Sequence, residues 1–316
     1  MKESILALIA VGVLWCPQPS GAQKVYRIGG LVASDQFVAS IEGFKKRMAE
    51  IGYIEGKNVK YDFYNAKGDE NTLKKLAQQL VQDKPDLIVT SSTTATAPVA
   101  KASAGTNIPV FFLSAGNPLR FVKSYASSGN NLTGISTSSI DLTEKRLELL
   151  KELVPGIKRV IALHNPEGEN YEGHLRSTRE GAKKFGLELT EVNMASEKLP
   201  LINKKLGDAL FGAPDARVQA TIKEIVQQAI RERLPHIAAS VGDVQGGALA
   251  TYAADYFALG QQGAVLVDKI LKGARPTDLP IEQPSKLNLV INLATAKAIG
   301  LKIPKEILRR ADEVIE

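Results

Sequence analysis

From residue 25 onward, short runs rich in β-branched and aromatic side chains alternate with longer segments whose apolar positions recur at helical spacing. Such alternation is the signature of parallel strands covered by helices. Strands are predicted over 25–32, 59–64, 87–91 and 109–114, with helices over 37–51, 70–82 and 95–103 between them. The runs Asp86-Leu87-Ile88-Val89 and Val110-Phe111-Phe112-Leu113 lack polar alternation, as expected of central strands buried on both faces. Residues 130–135 then read as a turn and a short strand, and Asp141 or Thr143 opens a helix over 144–153. The first passage between two lobes is placed here.

A second series repeats the architecture without obvious sequence identity. Its strands are predicted over 159–164, 188–193, 209–212 and 236–240, and its helices over 171–185, 199–206 and 216–233. A strand over 248–253, a helix over 257–271 and a strand over 287–291 follow, enough for the chain to cross between lobes again. With 316 residues the chain exceeds the size at which a single core stops growing, so two compact α/β units with parallel sheets are expected. In such sheets ligands bind beyond the carboxyl ends of the strands, and two sheets facing each other put those ends on the walls of one cleft.

The N-terminus changes the picture of where the protein works. Lys2 precedes an apolar run from Ile5 to Leu14, and a Pro/Ser/Gly stretch ends in Ser20-Gly21-Ala22. This is the pattern of a secretory signal peptide over 1–22, cleaved after Ala22, and the run is too short for a membrane span of about twenty residues. Lipidation at Cys16 is disfavoured because bulky Trp15 precedes it, and cleavage after Ala22 leaves a mature chain without cysteine. A periplasmic protein is expected. The net charge of +6 is spread among acids, as at Lys145, Arg146 and Glu148, which reads as solvated surface and not as a nucleic-acid face.

The candidate chemistry lies at strand ends. Ser91-Ser92-Thr93-Thr94-Ala95-Thr96 gathers hydroxyls between a buried strand and a helix start, where free N–H groups and the helix dipole favour an anion. Ser92, Thr93 and Thr94 are the leading ligand contacts; plain helix capping is the competing reading. Ser34, Asp35 and Phe37 follow the first strand, while Ser114 and Asn117, with Gly116 between them, follow the fourth. On the second lobe Asn165, Asp215 and Ser240 end strands, and Tyr252 and Asp255 lie at a later crossing. Phe37 and Tyr252 are expected to flank an apolar ligand body. His164 reads as a satisfied structural histidine, since no Gly-x-Ser-x-Gly nucleophile accompanies it. His164, His174 and His236 lack zinc-ligand spacing, and neither a phosphate-binding nor a dinucleotide fingerprint is present, so no metal, no cofactor and no catalytic residue is predicted.

The C-terminal third carries the most specific motifs: Gly246-Gly247-Ala248-Leu249-Ala250-Thr251-Tyr252-Ala253-Ala254-Asp255-Tyr256 and Val267-Asp268-Lys269-Ile270-Leu271-Lys272-Gly273-Ala274-Arg275-Pro276. They continue into Leu279-Pro280-Ile281-Glu282-Gln283-Pro284, Leu289-Val290-Ile291-Asn292-Leu293-Ala294-Thr295-Ala296-Lys297 and Arg310-Ala311-Asp312-Glu313-Val314-Ile315. Together with 44–56 and 131–134 these resemble the ABC transporter substrate-binding family that includes tryptophan-binding TrpX-like proteins.

The resemblance implies the type I periplasmic-binding-protein fold, two Rossmann-like lobes with parallel sheets joined by a three-segment hinge around a closing cleft, and no enzymatic activity. On that basis residues 23–135 with about 252–282 form one lobe, and 136–251 with about 283–316 form the other. The implied partners are a small-molecule ligand and a membrane permease of the ABC type, with a monomer expected. Gly116-Asn117-Pro118 stands where the family often has Gly-Asp-Pro, which removes an acidic partner for a ligand ammonium, and 207–216 also departs from the family. The expected ligand is a small organic carboxylate, an amino acid or aromatic acid foremost. A sugar or nucleoside receptor of the same fold, or an exported hydrolase, are the alternatives, and the absence of tryptophan after Trp15 disfavours stacked sugars.

Overall fold

The structure, a computed structural model, describes residues 24–168, 170–196 and 198–316. The predicted signal peptide, Cys16 and the cleavage point after Ala22 lie outside them. In chain order the first unit comprises β1 (Tyr26–Val32), α1 (Val38–Glu50), β2 (Val59–Asn65), α2 (Glu70–Gln82), β3 (Leu87–Ser91), α3 (Thr93–Ala102), β4 (Val110–Ala115) and β5 (Leu132–Ser136). The strands form one parallel sheet in the order β2-β1-β3-β4-β5. Every residue of β3 and β4 is buried, as their unbroken apolar runs require. Leu73, Ala77 and Leu80 recur at helical spacing on the buried face of α2, which starts where Asp69 accepts from the Thr72 N–H at 2.6 Å.

The second unit runs through α4 (Leu142–Leu153), β6 (Arg159–His164), α5 (Tyr171–Lys184), β7 (Glu188–Asn193), β8 (Ala209–Gly212), α6 (Ala216–Ala220), α7 (Ile222–Arg231), β9 (His236–Ile237), α8 (Val241–Gln245) and β10 (Ala250–Ala254). Then come α9 (Tyr256–Leu271), β11 (Leu287–Asn292), α10 (Leu293–Ile299), α11 (Lys305–Arg310) and β12 (Glu313–Ile315). The second sheet has the order β12-β11-β10-β9-β8-β6-β7 and is parallel except between β10 and β11.

Three passages join the sheets. The chain leaves the first sheet after β5, and it returns between β10 and α9, because α9 packs on α1 and not on the second sheet. Two glycines make that helix pair possible: a Cβ on Gly260 would lie 1.9 Å from the Ser40 carbonyl oxygen, and one on Gly43 2.0 Å from that of Phe257. The third passage is pinned to β5, where Glu282 N–H donates to the Gly134 carbonyl at 3.0 Å and the Glu282 carbonyl accepts from Ser136 N–H at 2.9 Å. No helix among the described residues is long and apolar enough to cross a membrane.

Local expectations fail in three places. Residues 199–206 form no helix; the Ile202 N–H and Pro200 carbonyl are instead bonded to the Gln228 side-chain amide. The helix expected over 216–233 breaks at Thr221, whose hydroxyl donates back to the Arg217 carbonyl at 3.0 Å. The strand expected to reach Ser240 ends at Ile237, because Ser240 and Asp243 form a capping box that starts α8.

Candidate ligand-binding cleft

A cavity lies between the two lobes with about 620 Å³ of empty space, its open mouth included. Phe37, Ser92, Thr93, Thr94, Ser114 and Gly116 form the wall from the first lobe. Arg146, Asn170, Gln219 and Ser240 face them from the second, and Ser139, Ala254 and Tyr256 close the hinge side.

The hydroxyl cluster is built as a lattice. Ser92 adopts φ 89° and ψ 156°, a strained conformation for a residue with a Cβ, and its side chain caps α3 through the Ala95 N–H at 3.1 Å. Ser114 Oγ holds that strain by accepting from Ser92 N–H at 3.0 Å and lying 2.7 Å from Ser91 Oγ. Thr93 Oγ1 accepts from Gly116 N–H at 2.9 Å and more weakly from Asn117 N–H at 3.4 Å. It also accepts from Asn170 Nδ2 at 3.4 Å, a hydrogen bond that joins the lobes. Capping and cavity lining are thus properties of the same residues.

The charged centre is Arg146, read from sequence as surface and found 1% exposed. Its Nε donates to the Tyr252 carbonyl at 2.9 Å, Nη1 to Ser139 O at 3.1 Å and Nη2 to Ala239 O at 3.1 Å. Three of the five N–H groups of the guanidinium are so used, leaving two on a side chain that lines the cavity. Burial lowers its pKa to about 10, which leaves it cationic at neutral pH. No carboxylate among the described residues forms an ion pair with it, and none lines this cavity. The acid whose field reaches it, Asp243, is engaged by Ser240 N–H at 3.0 Å and by the Gln219 side chain.

Other expected contacts fall around the cavity. Ser34 and Asp35 lie in the outer mouth, where Asp35 accepts from Asn65 Nδ2 at 2.7 Å. Asn165 and Asp215 line a neighbouring side chamber, and Asp215 caps α6 by accepting from the Arg217 and Val218 N–H groups. Asn117, Tyr252 and Asp255 line none of these spaces. Tyr252 packs its ring into the core of the second lobe, and Asp255 caps α9 through the Phe257 and Ala258 N–H groups. The aromatic pair at the cavity is Phe37 with Tyr256, ring centres 5.2 Å apart.

Comparison with known proteins agrees with this architecture. Residues 27–315 match the family model of the ABC transporter substrate binding protein, and the chain belongs to that family. A tyrosine-binding protein of Clostridioides difficile (strain R20291) is 30% identical, over 95% of this chain and 93% of its own. An ABC domain from Streptococcus pneumonia in complex with L-Trp superposes with a TM-score of 0.82 at 26% identity, covering 92% of this chain and 100% of its own. The ligand-free, open structure of a substrate-binding protein with adhesive properties from Clostridium difficile gives 0.72 at 27% identity, covering 92% of this chain and 99% of its own. The fold is that of type I periplasmic binding proteins, and the chain is a substrate-binding protein of an ABC transporter.

Proposed function

We propose that the interlobe cavity captures a small organic carboxylate, an amino acid or an aromatic acid, through Arg146, and presents it outside the cytoplasmic membrane to an ABC permease. The observation that carries the reading is a guanidinium buried without a carboxylate on a residue that lines the cavity, with three of its five N–H groups held by backbone carbonyls. A buried charge is costly unless paired, and a ligand carboxylate supplies the missing partner with a charge-assisted, two-point geometry. Phe37 and Tyr256 offer apolar faces for the ligand body. The similar proteins named for tyrosine or solved with L-Trp support the same class. Lacking a lining carboxylate, the inner cavity makes no demand for an ammonium group, so deaminated acids fall within the reading. Export as a monomer with residues 1–22 removed completes it, and mass spectrometry of exported protein showing Cys16 still attached to a lipid would overturn that part.

Calorimetry against L-tryptophan, L-tyrosine, indolepropionate, glucose and adenosine tests the ligand class. The carboxylates are expected to bind and the neutral compounds not to. Arg146→Met fills the space without the charge and is expected to fold while losing at least about tenfold in affinity, since hydrogen bonds to a charged group are worth about 1.5–3 kcal/mol. Binding of only the sugar or nucleoside, or full carboxylate affinity in Arg146→Met, would overturn the reading.

A further inference from the structure

Beside the inner cavity lies a side chamber that shares Thr94, Asn170 and Pro214 with it. His164, His174 and Asn170 are among the residues that line it, and five of their buried polar atoms have no hydrogen-bond partner among the described residues: both ring nitrogens of His164, both of His174, and Oδ1 of Asn170. His164 and His174 are 3% and 2% exposed. Burial lowers their pKa values to about 4 and about 3, and for His174 the nearby Arg146 charge adds to the effect. Both rings are therefore neutral at physiological pH, and each offers one donor and one acceptor. Buried polar atoms are normally paired, and leaving one unpaired costs about 1–3 kcal/mol.

The charge of the chamber selects what these atoms receive. Glu70, Glu167 and Asp215 line it, and no lysine or arginine does among the described residues. A carboxylate is repelled there and drawn to Arg146, whereas a hydrogen-bond donor is favoured.

We propose that the ligand is a two-ended acid: its carboxylate rests on Arg146, and a hydroxyl or indole N–H at its far end enters the side chamber and donates to His164 or His174. This rests on the carboxylate reading above and adds a second specificity contact, made by residues that the hydroxyl cluster and the aromatic pair do not include. A site built to pair with a donor rejects the analogue lacking it, because its own polar atoms then stay unpaired.

Calorimetry with two matched pairs tests it: L-tyrosine against L-phenylalanine, and L-tryptophan against benzothienylalanine, which replaces the indole N–H by sulfur. In the parent protein at least one donor-bearing acid is expected to bind about tenfold or more tighter than its partner, as a difference of about 1.4 kcal/mol gives. In His164→Phe or His174→Phe that advantage is expected to vanish while the partner acid keeps its affinity. Melting temperatures of the ligand-free variants should not fall, since an unpaired buried imidazole gives way to a ring of similar shape. Equal affinities within both pairs in the parent protein overturn the inference, whatever the variants do. Equal losses for both members of a pair in the histidine variants overturn it too, by showing a structural role. If none of the four acids binds, the carboxylate reading fails and takes this inference with it; binding without donor preference defeats the inference alone.

Discussion

Thr93 and Thr94 stand side by side at the start of α3 yet carry different loads. Thr93 Oγ1 accepts from two backbone N–H groups of the loop after β4, whereas Thr94 lines the cavity with no hydrogen bond among the described residues. Thr93→Val is therefore expected to lower the melting temperature, because an unsatisfied buried N–H costs about 1–3 kcal/mol. Thr94→Ala should leave stability unchanged and affect only ligand affinity. Thermal unfolding of both variants checks this, and equal stability losses would contradict it. The hydroxyl cluster was legible in the sequence because it sits where a strand meets a helix. Arg146 was not, since its neighbours Lys145 and Glu148 suggested a solvated face. A signal was nonetheless present: Leu142, Arg146, Leu149, Leu150 and Leu153 share the buried stripe of α4, so the arginine lies on an apolar face at helical spacing.

At the scale of elements, several acids near the cleft act as caps. Asp255 accepts from the Phe257 and Ala258 N–H groups, and Asp255→Ala is expected to cost about 0.5–2 kcal/mol of stability with unchanged ligand affinity. A change in affinity at constant stability, measured by calorimetry beside thermal unfolding, would return Asp255 to the binding site. The helix α2 and the strand β3 were legible to the residue, since their apolar periodicity and the Asp69 cap act locally. The segment 199–206 was not, because what fixes it is a glutamine about twenty-five residues away in sequence, a contact that no local pattern encodes. Tyr252 was misread as a cavity aromatic for a similar reason. Strand alternation puts its ring in the second core, and its carbonyl, not its side chain, serves the site by holding Arg146.

Whole-molecule behaviour follows from buried imidazoles and from lobe contact. Burial lowers His236 to about 4, alongside His164 and His174, well below the ordinary value of about 6.5. Unfolded histidines then bind protons that the folded ones do not, so stability falls as pH drops from about 6.5 towards 4. Buried Asp215 and Asp243, raised in pKa, work with the opposite sign and soften the fall. A melting temperature unchanged between pH 7 and pH 4.5 would contradict this, at about 1.4 kcal/mol per unit for each imidazole. Close approach of the lobes requires a glycine at 116: a Cβ there would lie 2.8 Å from Ser139 Oγ and 3.3 Å from Asn170 Nδ2, so closure on a ligand is expected to be sensitive to this position. Gly116→Ala is expected to weaken binding, overpacking costing about 1–3 kcal/mol, and to raise the radius of gyration of the ligand-saturated protein in X-ray scattering. Unaltered scattering and affinity would remove Gly116 from the closing surface. The backbone clamp on Arg146 also sets an order of events. Its three carbonyls come from Ser139, Ala239 and Tyr252, all on the second-lobe side, so the cation is already oriented while the lobes are apart. On the proposed reading the second lobe alone is the landing surface, and the expected kinetics are a fast and loose encounter whose rate falls with ionic strength, followed by a slower, salt-insensitive isomerisation in which the first lobe swings shut. Residence time is governed by reopening, so Gly116→Ala should shorten it while leaving the encounter rate untouched.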